Sequence, residues 1–203
     1  MRQVLYIHGG EAFSDYNDFL AYLQRREIWD LPGTESSFKW TAGLVEALGP
    51  EYEVFMPKMP NRENARYDEW KLWFERYIPY LKDGAILIGC SLGAMFLTRY
   101  FSETTTPFAV SALILMAGAV EGDQLDGEDG GDFFAAPERL PTIAQKVDRV
   151  IIMHSKDDFV VPFEHGVRLH EAIPGSQFLA FEDKNHFLVE ELPELIELLK
   201  GLG

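Results

Sequence analysis

The chain has 203 residues, 47% of them hydrophobic and 25% charged, enough for one domain with its own core and too apolar for a disordered segment. With 18 basic and 33 acidic side chains the formal charge is −15, so nucleic acids and anionic membranes are poor candidates as partners. The single cysteine, Cys90, excludes an internal disulfide, no apolar run reaches the ~20 residues of a membrane span, and Val4–Ile7 is too short for a secretion signal; a cytoplasmic protein is expected.

Short apolar runs alternate with amphipathic stretches along the chain. A strand at 3–8 ends in Gly9-Gly10, and a long stretch, 11–39, follows it. Within that stretch a helix is expected at 16–27, capped by Ser14 or Asp15, with Phe19, Leu20 and Leu23 on one face. Trp29, Leu31 and Phe38 come after it, with a turn at Leu31-Pro32-Gly33. This apolar face is either scaffold or a small lid over the site. A helix at 40–48 stops at Gly49-Pro50, a strand at 52–56 follows, and 67–81 repeats Trp70, Trp73, Phe74, Tyr77 and Leu81 at helical spacing until Pro79 kinks or ends it. Then come a strand at 85–89, a helix at 92–101 and a strand at 112–116. The acidic, glycine-rich segment 121–137 is expected to be a solvated, mobile connector. A strand at 149–154, a helix at 163–172, a strand at 177–181 and a helix at 189–199 complete the chain. Several strands, such as Ala85-Ile86-Leu87-Ile88, are apolar at every position, the mark of burial on both faces. The expected fold is one α/β domain: a doubly wound, mostly parallel six-stranded sheet flanked by helices.

Gly89-Cys90-Ser91-Leu92-Gly93 matches G-x-S-x-G between a buried strand and an apolar helix. In that setting a tight strand-to-helix turn holds the serine hydroxyl out above the sheet, at a helix N-terminus that favours developing negative charge. Ser91 is the candidate nucleophile; Cys90, one residue off the tip, reads as a small buried hydrophobe. A serine hydroxyl is weakly nucleophilic at neutral pH, so a base must take its proton and an acid must orient that base.

The chain offers both in the order Ser, Asp, His. Asp157 and Asp158 follow the strand at 149–154; Asp158 is favoured, because the Asp-x-x-Val-Pro spacing resembles an acid turn in which Val-Pro starts the next helix, while Asp157 is free to bond turn amides. His186 lies in the loop after the last strand and is the candidate base. His154 reads as structural, and His165 and His170, in a helix, as surface residues. Backbone N–H groups of Gly10 and Leu92 are the candidate oxyanion hole, with Glu11 an alternative donor. Gly9 and Glu11 are candidate substrate contacts. No histidine, cysteine and carboxylate cluster has metal-ligand spacing.

At this point the chain resembles the small serine hydrolases related to retinoblastoma-binding protein 9 and the bacterial YdeN proteins. The residues that carry the likeness are Met56-Pro57-Lys58-Met59-Pro60, Tyr67-Asp68-Glu69-Trp70, Ile88 to Ala94, Ser155 to Pro162 and Asn185-His186-Phe187. It differs from them in the insertion 11–39 and at Cys90, where histidine is frequent. The resemblance implies a compact α/β-hydrolase fold without a full cap domain, catalysis by Ser91, Asp158 and His186, no cofactor, and small ester substrates. The leading expectation is a carboxylesterase for small or medium acyl chains. Thioesterase or peptidase chemistry on the same residues, or a protein-binding module that keeps the fold, are the alternatives, and a protein partner is not readable.

Overall fold

A computed structural model describes residues 1–28, 40–122, 125 and 129–202, and within them the apolar runs form one parallel sheet. Its strands are β1 (Arg2–Ile7), β2 (Tyr52–Phe55), β3 (Ala85–Cys90), β4 (Val110–Met116), β5 (Val150–Ser155) and β6 (Gln177–Phe181), in the order β2-β1-β3-β4-β5-β6. The helices are α1 (Tyr16–Arg25), α2 (Trp40–Leu48), α3 (Tyr67–Glu75), α4 (Leu92–Glu103), α5 (Phe163–Ala172) and α6 (Pro193–Gly201).

Alternate strand residues enter two cores. Val4, Tyr6, Ile86, Ile88 and Ile114 pack with Trp40 and Leu44 of α2 and Leu195 and Leu199 of α6. Leu5, Ile7, Leu87, Leu113 and Leu115 pack with Trp70 and Phe74 of α3, Phe96 of α4 and Leu169 of α5. Burial of both faces is why the strands read as unbroken apolar runs. The chain goes outward from β1 to β2 and then returns to β3 on the other side of β1. That reversal sets the C-terminal ends of β1 and β3 next to each other, with Ile7 opposite Gly89. The crevice at such a switch point is where open α/β sheets bind ligands.

Four local expectations need correction. The break expected at Pro79 falls earlier, with α3 ending at Glu75 and a 3₁₀ turn following at Ile78–Tyr80, since Pro79 has no N–H to donate to the turn before it. The last helix begins at Pro193 rather than near 189, because proline is tolerated in a first turn and restrains the residue before it. In α1, capped by Asp15 through the Asn17 N–H, the side chains facing the body are Phe19 and Tyr22, whose rings lie 5.7 and 5.1 Å from buried Phe13. Leu20 and Leu23 remain 39% and 46% exposed. Trp29, Leu31 and Phe38, with their turn, lie outside the described residues.

The connector 121–137 is docked over its second half. Phe133 is fully buried, Asp132 accepts the N–H of Tyr67 at the start of α3, and the Asp129 carboxylate accepts the N–H groups of Ser14 and Gly131. Asp129 and Asp132 serve as acceptors for backbone N–H groups, a role that charge counting cannot distinguish from solvation. Among the described residues no helix is long and apolar enough to cross a membrane.

Candidate active site

Ser91 sits between β3 and α4 with φ 55° and ψ −123°, a conformation that L-residues avoid. Its neighbours explain how the turn closes. A Cβ on Gly93 would lie 2.3 Å from the Ile7 carbonyl oxygen, and one on Gly89 would lie 2.4 Å from the Gly93 carbonyl oxygen, so side chains are excluded at both positions. The Ser91 N–H is tied to Met116 of β4 at 2.8 Å. Cys90 is buried beneath it.

His186 and Asp158 meet across the ends of β5 and β6. His186 Nδ1 lies 2.8 and 3.0 Å from the two carboxylate oxygens of Asp158, whose side chain is fully buried. One Asp158 oxygen also accepts the N–H groups of Val160 and Val161, each at 2.9 Å. Burial pushes the Asp158 pKa up, but hydrogen bonds from His154, His186 and the Val161 amide outweigh it and hold the carboxyl well below the ordinary range. With Nδ1 given to an ionised carboxylate, the ring carries its proton there and leaves Nε2 as an acceptor.

Asp157 does something else. Its Oδ1 accepts the Ser155 hydroxyl at 2.5 Å and the Asn185 N–H at 2.9 Å, and Ser155 Oγ in turn accepts the Lys184 N–H at 2.9 Å. It therefore holds the backbone of the His186 loop while Asp158 holds the ring. That loop is strained: Asn185 and Phe187, on either side of His186, have φ of 50° and 53°.

The glycine pair after β1 lies against the elbow. The Glu11 N–H is spent on the Arg62 carbonyl at 2.8 Å. Among the described residues, neither the Gly10 N–H nor the Leu92 N–H has an acceptor. A Cβ on Gly10 would lie 2.5 Å from the Arg62 carbonyl oxygen, so glycine is needed for this approach. Gly9, Gly10, Glu11, Ser91 and His186 line one cleft of about 730 Å³. The Glu11 side chain accepts the Tyr22 hydroxyl at 3.0 Å, and its pKa is raised by burial, with Glu63 adding to it.

Two supporting residues, His8 and Trp40, escaped the sequence reading, and His154, read there as structural, joins them. His8 accepts the Met59 N–H on Nε2 at 2.9 Å and lies 2.6 Å from the Gly9 carbonyl through Nδ1, fixing the turn that carries Gly10; its place before Gly-Gly was the one available hint. Trp40 donates its indole N–H to the Phe187 carbonyl at 3.2 Å, and nothing in the sequence pairs positions so far apart. His154 is fully buried, donates to the Val161 carbonyl at 2.9 Å and lies 3.4 Å from Asp158. The two helical histidines differ from the expectation of surface residues. His165 is fully buried and accepts the Val120 N–H, and His170 stacks on Phe178 with ring centroids 5.6 Å apart. His165 lies on the buried side of α5 and His170 is half-buried, contacts that their polarity conceals.

Solved structures with this fold are numerous and distant in sequence. The ydeN gene product from B. subtilis superposes with a TM-score of 0.76 at 20% identity, covering 100% of this chain and 98% of that one. An esterase domain from a Rhodothermus marinus protein gives 0.68 at 16% identity, covering 100% and 88%. A monoacylglycerol lipase from Paleococcus ferrophilus gives 0.63 at 16%, covering 99% and 95%. No curated protein matches the sequence significantly. The six-stranded parallel sheet with its helices is thus an α/β-hydrolase fold. The chain belongs to the serine hydrolase family, whose family model, described as "Serine hydrolase", matches residues 33–199.

Proposed function

We propose that this hydrolase cleaves carboxylic esters through an acyl-enzyme on Ser91. The observation that carries the reading is the His186–Asp158 pair at 2.8 Å, with His186 lining the same cleft as Ser91. The ionised, buried carboxylate keeps the His186 proton on Nδ1, so Nε2 takes the proton of Ser91 as its oxygen attacks the ester carbonyl carbon. The N–H groups of Gly10 and Leu92, lacking acceptors, bind the oxyanion, and the N-terminus of α4 adds its positive end. When the carbon–oxygen bond to the alcohol breaks, the imidazolium gives its proton to the departing oxygen. Water, activated by the same imidazole, then releases the acid. The substrate is a small molecule, the reaction needs no cofactor, and the reduced Cys90 suits a cytoplasmic setting. The test is labelling by a fluorophosphonate, read as intact mass, together with turnover of p-nitrophenyl acetate. Wild type should gain one adduct on Ser91, and Ser91→Ala should gain none and lose on the order of 10⁴-fold in kcat. A Ser91→Ala protein that turns over ester like wild type overturns the assignment.

A further inference from the structure

We propose that the enzyme is selective for esters of very short acyl groups, acetyl above all, on a large alcohol. This rests on the reading of Ser91 as the acylated residue. Two voids of very different size meet there. The cleft of about 730 Å³ reaches from Ser91 past His186 to Tyr22, Met56, Lys58 and Arg62. The second void, about 20 Å³, also touches Ser91 and is walled by Leu92, Met95, Ala119, Leu125, Gly130, Val160 and Val161. Gly10, Ser91 and Val160 line both.

The chemistry decides which part of an ester enters which void. The group that leaves must receive a proton from the imidazole, so its oxygen lies on the His186 side. His186 lines the large cleft and not the small void, which assigns the cleft to the alcohol. Of the two proposed oxyanion donors, Gly10 lines both voids and Leu92 lines the small one alone, which assigns the small void to the carbonyl oxygen and the acyl carbon chain beside it. A void of about 20 Å³ holds one water or one methyl group. Its wall is firm. Leu92, Ala119 and Val161 are 2%, 5% and 4% exposed, and Met95, on the rigid helix α4, is 5% exposed. The alcohol side, by contrast, opens on exposed Met56 and Leu188, with Lys58 and Arg62 at its rim. A longer acyl chain must displace the core around Met95 or crowd the alcohol out of the cleft. Loss of roughly tenfold for each added methylene is the scale expected of an apolar pocket.

The test varies one side of the ester at a time. With p-nitrophenol fixed, kcat/KM is measured for the acetate, butanoate and octanoate, each divided by its hydroxide-catalysed rate; with acetate fixed, the alcohol grows from ethanol to naphthol. In parallel, the rate of phosphonylation of Ser91 is followed by intact mass with ethyl p-nitrophenyl methylphosphonate and its octylphosphonate. The expected result is a fall of about 100-fold or more from acetate to octanoate, the same order for the two phosphonates, and no fall as the alcohol grows. Met95→Ala should reduce the acetate preference at least tenfold, and Leu125→Ala provides the same widening should the buried methionine prove essential to folding. Labelling of Ser91 by both phosphonates with the octyl compound equal or faster overturns this proposal and leaves the esterase reading standing. Absence of labelling by either, in folded protein, overturns both.

Discussion

Asp157 and Asp158 are adjacent, chemically identical side chains with different surroundings. One is exposed and holds loop amides; the other is buried against two histidines and two backbone N–H groups. Replacing Asp158 by Asn should therefore cost on the order of 10⁴-fold in kcat, because an amide no longer fixes the His186 proton on Nδ1. Asp157→Asn keeps an acceptor for Asn185 and should cost only a few-fold. Comparable losses in the two variants, in steady-state assays, would place the orienting acid elsewhere. The same geometry governs pH dependence. His186 must be unprotonated at Nε2 to accept from Ser91, while Asp158, with its lowered pKa, stays ionised well into acid. The logarithm of kcat/KM should fall with a slope of about one on the acid side, the signature of a single group. A slope of two would require the carboxylate to titrate in the same range.

At the scale of elements, α1 is the piece whose role the sequence left divided between scaffold and lid. None of its residues is buried, and its contact with the body runs through Phe19 and Tyr22 against Phe13. Tyr22 is also the α1 side chain that lines the cleft. Leu20→Ala and Leu23→Ala should leave the melting temperature and ester preference nearly unchanged, since both side chains are exposed and the α1 rings that stack near Phe13 are those of Phe19 and Tyr22. Phe13→Ala should cost about 3–5 kcal/mol in denaturant unfolding, the price of an aromatic cavity. Tyr22→Ala should alter KM for bulky alcohols more than for small ones if α1 borders the alcohol side. Equal changes for both would make α1 scaffold alone. The elbow shows the complementary case, an element junction in which local sequence dictates geometry: Gly89 and Gly93 are where any side chain would strike backbone.

For the whole molecule, the excess of acid shapes the response to pH. Asp158, Asp157, Asp129 and Glu194 all have pKa values lowered by their hydrogen bonds in the folded state. A group with a lower pKa when folded stabilises the protein above its unfolded pKa, roughly 4 for a carboxyl, and that contribution disappears as pH falls toward the folded value. Glu11, with a raised pKa, works in the opposite sense. The melting temperature should therefore drop between about pH 5 and pH 2. The gap between wild type and Asp158→Asn should narrow over the same interval, because the unfolded wild-type chain binds a proton at Asp158 that the folded protein does not, and the variant has no such group. A gap that stays constant in thermal melts across that range would mean the ionised form of Asp158 adds nothing to stability.

Periodicity alone was sufficient for the parallel sheet and its helices, because strands buried on both faces leave unbroken apolar runs that no solvent-facing strand would have. The elbow was legible because its glycines answer a steric demand confined to five consecutive residues. Ser91, Asp158 and His186 could be nominated from chain order, since connections in such a sheet deliver each loop to the same edge. What chain order could not supply was anything decided by distance between remote segments. The Arg62 carbonyl occupies the Glu11 N–H and leaves that of Gly10 without an acceptor. Trp40 anchors a loop 147 residues away. Helix phase turns His165 inward and Leu23 outward, a rotation of side chains that polarity patterns resolve poorly in short helices. The relative size of the two voids at Ser91 is likewise set by side chains from β3, α4, the acid turn and the 121–137 connector together. Local sterics and burial patterns are written along the chain; which amide finds a partner, and how much room is left beside the serine, arise only when the chain has closed on itself.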